Sequence, residues 1–144
     1  MKPHITPAAP ADLPAIVELL AASKLPRASI EDHVASTLVA RRDSGVVGTA
    51  ALELYGSAAL LRSVAVATPL RGQGLGVALT VAALDLARRR GVRTVYLLTE
   101  TAEGFFPKFG FTPISRAQVE AVVLQSPEFT TACPKSALVM VKQL

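Results

Sequence analysis

The six residues Arg71-Gly72-Gln73-Gly74-Leu75-Gly76 carry the strongest chemical signal in the chain. Glycines at alternate positions ahead of a helix leave backbone N–H groups free to converge, and the helix's first turn adds unpaired donors at the positive end of its dipole. Such a place holds an anion, and the lack of side chains lets a pyrophosphate approach the backbone closely. Two familiar phosphate loops fail against the letters. A P-loop needs Gly-x-x-x-x-Gly-Lys-Ser/Thr, and no lysine ends this run; a dinucleotide fingerprint needs glycine where Val77 stands. What fits is Arg-x-x-Gly-x-Gly, preceded by Val64-Ala-Val-Ala-Thr-Pro69.

Other residues could carry chemistry. Glu53 and Glu100 are candidate bases, although an ordinary carboxylate near pKa 4.3 needs burial or a water relay to deprotonate an ammonium. Arg62 interrupts an apolar strand, where an unpaired guanidinium is costly to bury; it either faces outward or grips a carboxylate in bidentate fashion. His33 reads as a surface residue. Cys133 reads as a buried thiol or as a contact for an acceptor.

These residues need elements to position them. Apolar positions Leu13, Ile16, Val17 and Leu20 predict a helix over Ala11–Ala22 with Asp12 as N-cap. Ser29–Ala40 reads as a second helix, and Arg41–Gly45 as a turn. Val46–Tyr55 and Ala58–Ala67 read as a hairpin joined by Gly56-Ser57, apolar on both faces and so covered on both sides. After the glycine loop, Leu75, Leu79, Ala82 and Leu86 give a long amphipathic helix ending at Gly91. Then come a strand Thr94–Thr99, a short helix Ala102–Phe109 closed by Gly110, and a strand Phe111–Ile114. A capping box at Ser115 and Gln118 opens a further short helix that Pro127 ends, and the last strand is Ala137–Val141. The order ααββαβαβ(α)β, without repeat or linker, predicts one α/β domain over residues 1–144: a mixed sheet layered with helices.

Composition bounds the function. With 144 residues, 51% hydrophobic and 18% charged, the chain can bury one sizeable core. No apolar run is long enough to span a bilayer, and the first residues lack a signal-peptide pattern. A single cysteine excludes an internal disulfide and argues against a metal site, so the expectation is cytoplasmic. The net charge of +4 fits an anionic ligand; nucleic acid is disfavoured because no aromatics interleave Arg88-Arg89-Arg90 and Arg93.

On the glycine motif, the chain resembles a GNAT-superfamily N-acetyltransferase. The segment Ala102 to Phe111, with Phe105-Phe106-x-Lys108-Phe109-Gly110, resembles that family's helix-then-strand motif beside the cofactor, and Ile5–Leu20 its first strand and helix. Within the superfamily, Leu61–Val66, Tyr96–Thr99 and Cys133-Pro134-x-Ser136-Ala137 are similar to the arsenic-resistance-associated (ArsN-type) group. The resemblance implies a mostly antiparallel sheet with helices on both faces and a splay between two parallel strands. It further implies acetyl-CoA held by Val64, Val66, Arg71, Gly72, Gln73, Gly74, Leu75 and Gly76, with Phe105 and Lys108 alongside. The Val66 N–H would face the thioester oxygen as it gains charge. Arg62 and Cys133 would lie at the acceptor, a small amino-acid-like amine, for which the subgroup implies glutamate analogues such as arsinothricin or phosphinothricin. Proteins of this kind are often homodimers.

Phe106 stands where many members carry a tyrosine that protonates the leaving thiolate. An alkyl thiol near pKa 8.5 can leave unassisted, while Tyr55 and Tyr96 are weaker substitutes. The missing tyrosine leaves two alternatives open beside the small-molecule enzyme: a non-catalytic acyl-CoA-binding module, or a peptide N-terminal acetyltransferase, which needs an open groove.

Overall fold

The computed structural model describes residues 2–132 and 136–144. β1 (His4–Pro7), β2 (Thr37–Arg42), β3 (Gly45–Tyr55), β4 (Ala58–Val66), β5 (Thr94–Thr99), β6 (Thr112–Ile114) and β7 (Leu138–Gln143) form one sheet in the order β1-β2-β3-β4-β5-β7-β6. Every neighbouring pair is antiparallel except β4 with β5. Two helices, α1 (Leu13–Ala22) and α2 (Leu75–Arg89), lie on opposite faces. The period-two alternation of strand side chains makes this possible: Ala50 and Leu52 of β3 pack under α2, while Ala51 between them packs under α1 with Ile16 and Leu20. α2 buries Leu79, Ala83, Leu86 and Ala87 as one stripe, each large aliphatic contributing about 2 kcal/mol. It ends where Gly91 takes φ 80° and Val92 N–H reaches back to the Ala87 carbonyl at 3.0 Å.

The helix expected over Ser29–Ala40 is not formed. A 3-10 stretch covers Ile30–Ser36, and the chain then becomes β2, buried throughout Thr37–Ala40 and paired on both edges. Ile30, Val34 and Leu38 fit a helical spacing, but β-branched Thr37 and Val39 gain more from a doubly covered strand. The Arg41–Gly45 turn therefore closes a β2–β3 hairpin. Pro127 likewise ends no helix: after the Ser115 capping box the chain makes separate 3-10 turns at Arg116–Gln118 and Val123–Gln125. Pro127 then precedes the turn Glu128–Ala132, a position where its missing N–H costs nothing.

The feature that opens the sheet is a bulge in β4. Thr49 pairs with Ala65 but Ala51 with Arg62, so β4 carries one extra residue, and Ser63 absorbs it at φ 59°. The extra residue reverses the facing beyond it, and Val64 and Val66 now pack with the α2 core. β4 and β5 pair only from Ala58/Thr94 to Leu60/Tyr96, although both strands run on. Beyond that point they diverge.

Candidate active site

The divergence leaves a cavity of about 530 Å³ lined by Leu61–Val66 on one wall and Leu97–Ala102 on the other. Ala67 N–H bonds the Val47 carbonyl of β3 at 2.8 Å. Alternation along an antiparallel strand therefore turns the main chain of Val64 and Val66 the other way, to the unpaired edge. Arg71 confirms the direction for Val66, since its Nε reaches the Val66 carbonyl at 3.1 Å from across the opening; its Nη2 donates to Ser23 Oγ at 3.3 Å. An extended molecule can bond to this edge as a strand would.

Arg71, at one border of the cavity, leads through the glycine loop into the start of α2. Gly72 and Gly74 adopt φ 80° and 86°, Gly74 is the N-cap, and no side chain caps the turn. The first intrahelical bond there is Ala78 N–H to the Gly74 carbonyl, so the donors of the turn before it point outward. A Cβ on Gly72 or Gly74 would meet nothing, yet neither backbone suits an L-residue; glycine is used for conformation, and the space above it stays open. Gln73 turns its amide to the Pro69 carbonyl at 3.4 Å. Phe105 packs on the first turn, 3.6 Å from where a Gly76 Cβ would sit, with the Lys108 ammonium 5.4 Å over its ring. Glycine loop, helix start and open strand edge thus fit a pyrophosphate followed by an amide-bearing arm. Leu75, half-buried, anchors the turn to the core.

The other end is built differently. Arg62 is buried, so it does not face outward, and its fork is spent on protein. Nε donates to Ser63 Oγ at 3.0 Å, Nη1 to the Ala28 carbonyl at 2.7 Å and Glu53 Oε2 at 2.8 Å, and Nη2 to the Pro26 carbonyl at 3.2 Å. Glu128 Oε2 lies 3.6 Å from Nη2. The expected clamp for an acceptor carboxylate is therefore corrected: four of the five N–H groups already bond protein acceptors and the Glu128 carboxylate stands near the remaining one, and removing a buried pair's partner is costly.

Glu53 is corrected as well. It is fully buried and does not line the cavity. Burial pushes its carboxyl up, but hydrogen bonds from Ser126, Tyr55 and Arg62, with the charge of Arg62, outweigh that and hold it below the ordinary glutamate value. Such a carboxylate is a poor base. Tyr55 donates to its Oε1 at 2.5 Å, and burial together with that carboxylate pushes the phenol up to about 12. Tyr96 is raised too, by burial and by its bond to Glu120 at 2.9 Å. Neither phenol lines the cavity, so neither serves as the acid.

Glu100 remains at the rim, exposed, just beyond β5. Phe106 is part of the wall and is wedged edge-on between Phe105 and Phe111. His33 is one-fifth exposed and sits 3.8 Å from Glu53 Oε2, away from the cavity. Cys133 lies outside the described residues. Sequence reading missed Ser63, Lys24, Pro26 and Glu128, all of them lining residues. Among the described residues no group of three metal-ligating side chains occurs, and no helix is long and apolar enough to cross a membrane.

Comparison with known proteins agrees with this geometry. Residues 33–113, more than half of the chain, match the family model of the acetyltransferase (GNAT) domain. Rv2747 from Mycobacterium tuberculosis, solved with CoA and a further ligand, is 28% identical, with a TM-score of 0.83 and 99% of both chains covered. N-acetylglutamate synthase from Neisseria gonorrhoeae, solved with CoA and L-arginine, is 21% identical with a TM-score of 0.83 over 99% of this chain, which spans only 33% of the synthase's length. Ard1 from Thermoplasma volcanium shares the fold at 22% identity and a TM-score of 0.78, over 100% of this chain and 99% of that one. With its family model matched and the cradle and splayed strands in place, the chain belongs to the GNAT acetyltransferase family and is an acetyl-CoA-dependent N-acetyltransferase.

Proposed function

We propose that the protein acetylates the primary amine of a small amino-acid-like molecule by direct attack, without a side-chain general acid. What supports this reading is that the open edge of β4, the rim residues Lys24, Pro26, Glu100 and Glu128, and Arg71, which leads into the uncapped start of α2, border one cavity. Acetyl-CoA supplies the thioester. Main-chain donors of Gly72–Gly76 take its pyrophosphate, with Arg71, Gln73 and Leu75 shaping the loop. Val64 and Val66 take the pantetheine arm, the Val66 N–H faces the acyl oxygen, and Phe105 with Lys108 flanks the helix start.

The acceptor amine arrives from the rim, where holding it near the acyl carbon supplies much of the rate. Glu100, through water, is the acid–base group placed to take the ammonium's proton. The thiolate leaves on its own acidity, because the wall offers Phe106 where a phenol would be needed. Lys24 supports a carboxylate-bearing acceptor: among the described lining residues it is the cation whose side chain is not already bonded to protein, and it is held at φ 57° beside the cavity. Glutamate analogues of the arsinothricin and phosphinothricin type fit that chemistry, and a cytoplasmic enzyme of detoxification is the setting it supports. The rim drawn down on Arg62 supports a small acceptor over a peptide.

The test is thiol release from acetyl-CoA across glutamate analogues, other amino acids, polyamines and short peptides. Turnover confined to carboxylate-bearing α-amines, reduced at least tenfold by Lys24→Ala, supports the reading. Turnover on polyamines or peptides alone removes it.

A further inference from the structure

Arg62 contacts the 26–28 segment, β3, its neighbour in β4 and the C-terminal excursion, and its side chain is closed to solvent. Through Nε it fixes Ser63, the bulge residue at φ 59° that turns Val64 and Val66 toward the cavity. Through Nη1 and Nη2 it holds the carbonyls of Ala28 and Pro26, in the segment after α1. Glu53 anchors it from β3 at 2.8 Å, and Glu128 approaches from the C-terminal excursion at 3.6 Å. Glu53 reinforces the last link, since Ser126 donates to its carboxylate while Ser126 Oγ accepts the Glu128 N–H at 3.1 Å. Pro26 and Glu128, from segments far apart in sequence, both line the cavity.

We infer that the Glu53–Arg62 pair is a positioning device: a buried strap that fixes the two acceptor-rim segments to the bulged strand, and so sets the distance between the acceptor amine and the acyl carbon. The inference rests on the acceptor lying at that rim, as proposed above. Its physical basis is that the two reactants are held by different parts of the molecule. Acetyl-CoA is held by the main chain of β4 and of the 71–76 loop, and the acceptor by segments that reach β4 through Arg62. A misplacement of about 1 Å between reacting groups can cost on the order of a hundredfold in rate. Arg62 hydrogen-bonds the bulge and the 26–28 segment and pairs with Glu128 of the excursion. Lysine at position 62 would keep the charge but could not span four acceptors, because its donors radiate from one point and the guanidinium's form a planar fork.

The experiment compares wild type with Arg62→Lys by steady-state kinetics, by acetyl-CoA titration calorimetry and by amide hydrogen exchange. The expected result is a loss of at least tenfold in kcat/KM for the acceptor with acetyl-CoA affinity changed less than threefold. Exchange should be at least tenfold faster in residues 25–30 and 123–130, and unchanged in 79–87 of α2. Equal losses for both substrates, or unchanged exchange at the rim, would overturn the inference. Should Arg62→Lys fail to fold, Glu128→Gln removes only the excursion's charge; it must speed exchange in 123–130 while sparing 79–87, and uniform exchange would reject the strap. If wild type turns over no amino-acid-like acceptor, the functional reading fails, while the exchange data still decide the strap.

Discussion

In the Arg71–Gly76 stretch the proposed recognising atoms are main-chain N–H groups, whereas around Arg62 the structure depends on side chains and carbonyls from four separate segments. The first is local: six consecutive residues and the helix they open form the proposed anion site, and its tolerance is conformational. The second is a buried ionic network whose parts are distant in sequence, and its tolerance is electrostatic. Removing one group from the first should cost ligand affinity. Removing one group from the second should cost the fold itself, because it strands a charge in the interior.

The sharpest way to break that contrast is Glu53→Ala. It leaves Arg62 buried without its carboxylate, and urea unfolding should show a loss of about 3–5 kcal/mol. A loss below 1 kcal/mol would mean that water or Glu128 replaces Glu53 easily. At the other end, Gly74→Val forces a β-branched residue into φ 86°, a strain of about 1–2 kcal/mol. Since the strained turn is the cradle, acetyl-CoA affinity measured by calorimetry should fall about tenfold or more.

Acid should separate the two ends next. Glu53 and Asp12 both titrate lower in the folded protein than in the unfolded chain, Asp12 because Arg41 grips it through two hydrogen bonds and Ala9 N–H adds a third. A depressed carboxyl stabilises the fold fully above its unfolded pKa, about 3.9 for Asp and 4.3 for Glu, and that stability is lost as pH falls through the folded values. Unfolding free energy should be flat in these two groups from pH 7 to about 5 and decline below about 4. Acid should steepen less in Glu53→Gln.

Smaller effects sharpen the comparison. Tyr55→Phe deletes one hydrogen bond to the buried carboxylate and should cost about 1–3 kcal/mol, with acetyl-CoA affinity unchanged. Gly76→Ala, inside α2 with only ordinary contacts to Phe105 and Val66 at 3.6 and 3.8 Å, should raise stability by about 0.5–1 kcal/mol, while acetyl-CoA affinity falls, because the proposed pyrophosphate seat includes this residue.

Residue by residue, the legible parts share a reason. Gly72 and Gly74 could be read because a turn at positive φ ahead of a helix leaves its mark on neighbouring positions. The β3–β4 hairpin, α2 and its stop at Gly91 could be read because period and terminating residue agree. The second helix over Ser29–Ala40 was misread because Ile30, Val34 and Leu38 satisfy both periods, and only pairing with β1 and β3 chooses the strand. Glu53 as a base and Arg62 as a clamp were misread for a deeper reason: a charged letter inside an apolar strand says that a partner exists without saying which. Pairing across β3–β4, the carbonyls of Pro26 and Ala28, and Ser126 decide whether that charge works on substrate or on the protein.

The sequence by itself determined the family, the mixed sheet and the glycine turn that opens α2, because each is encoded in short-range spacing. Tertiary structure alone decided the bulge at Ser63, the turning of Val64 and Val66 to the open edge, and the conversion of Glu53 and Arg62 from apparent reactants into a strap. These depend on register and burial, which arise only when segments tens of residues apart are brought into contact.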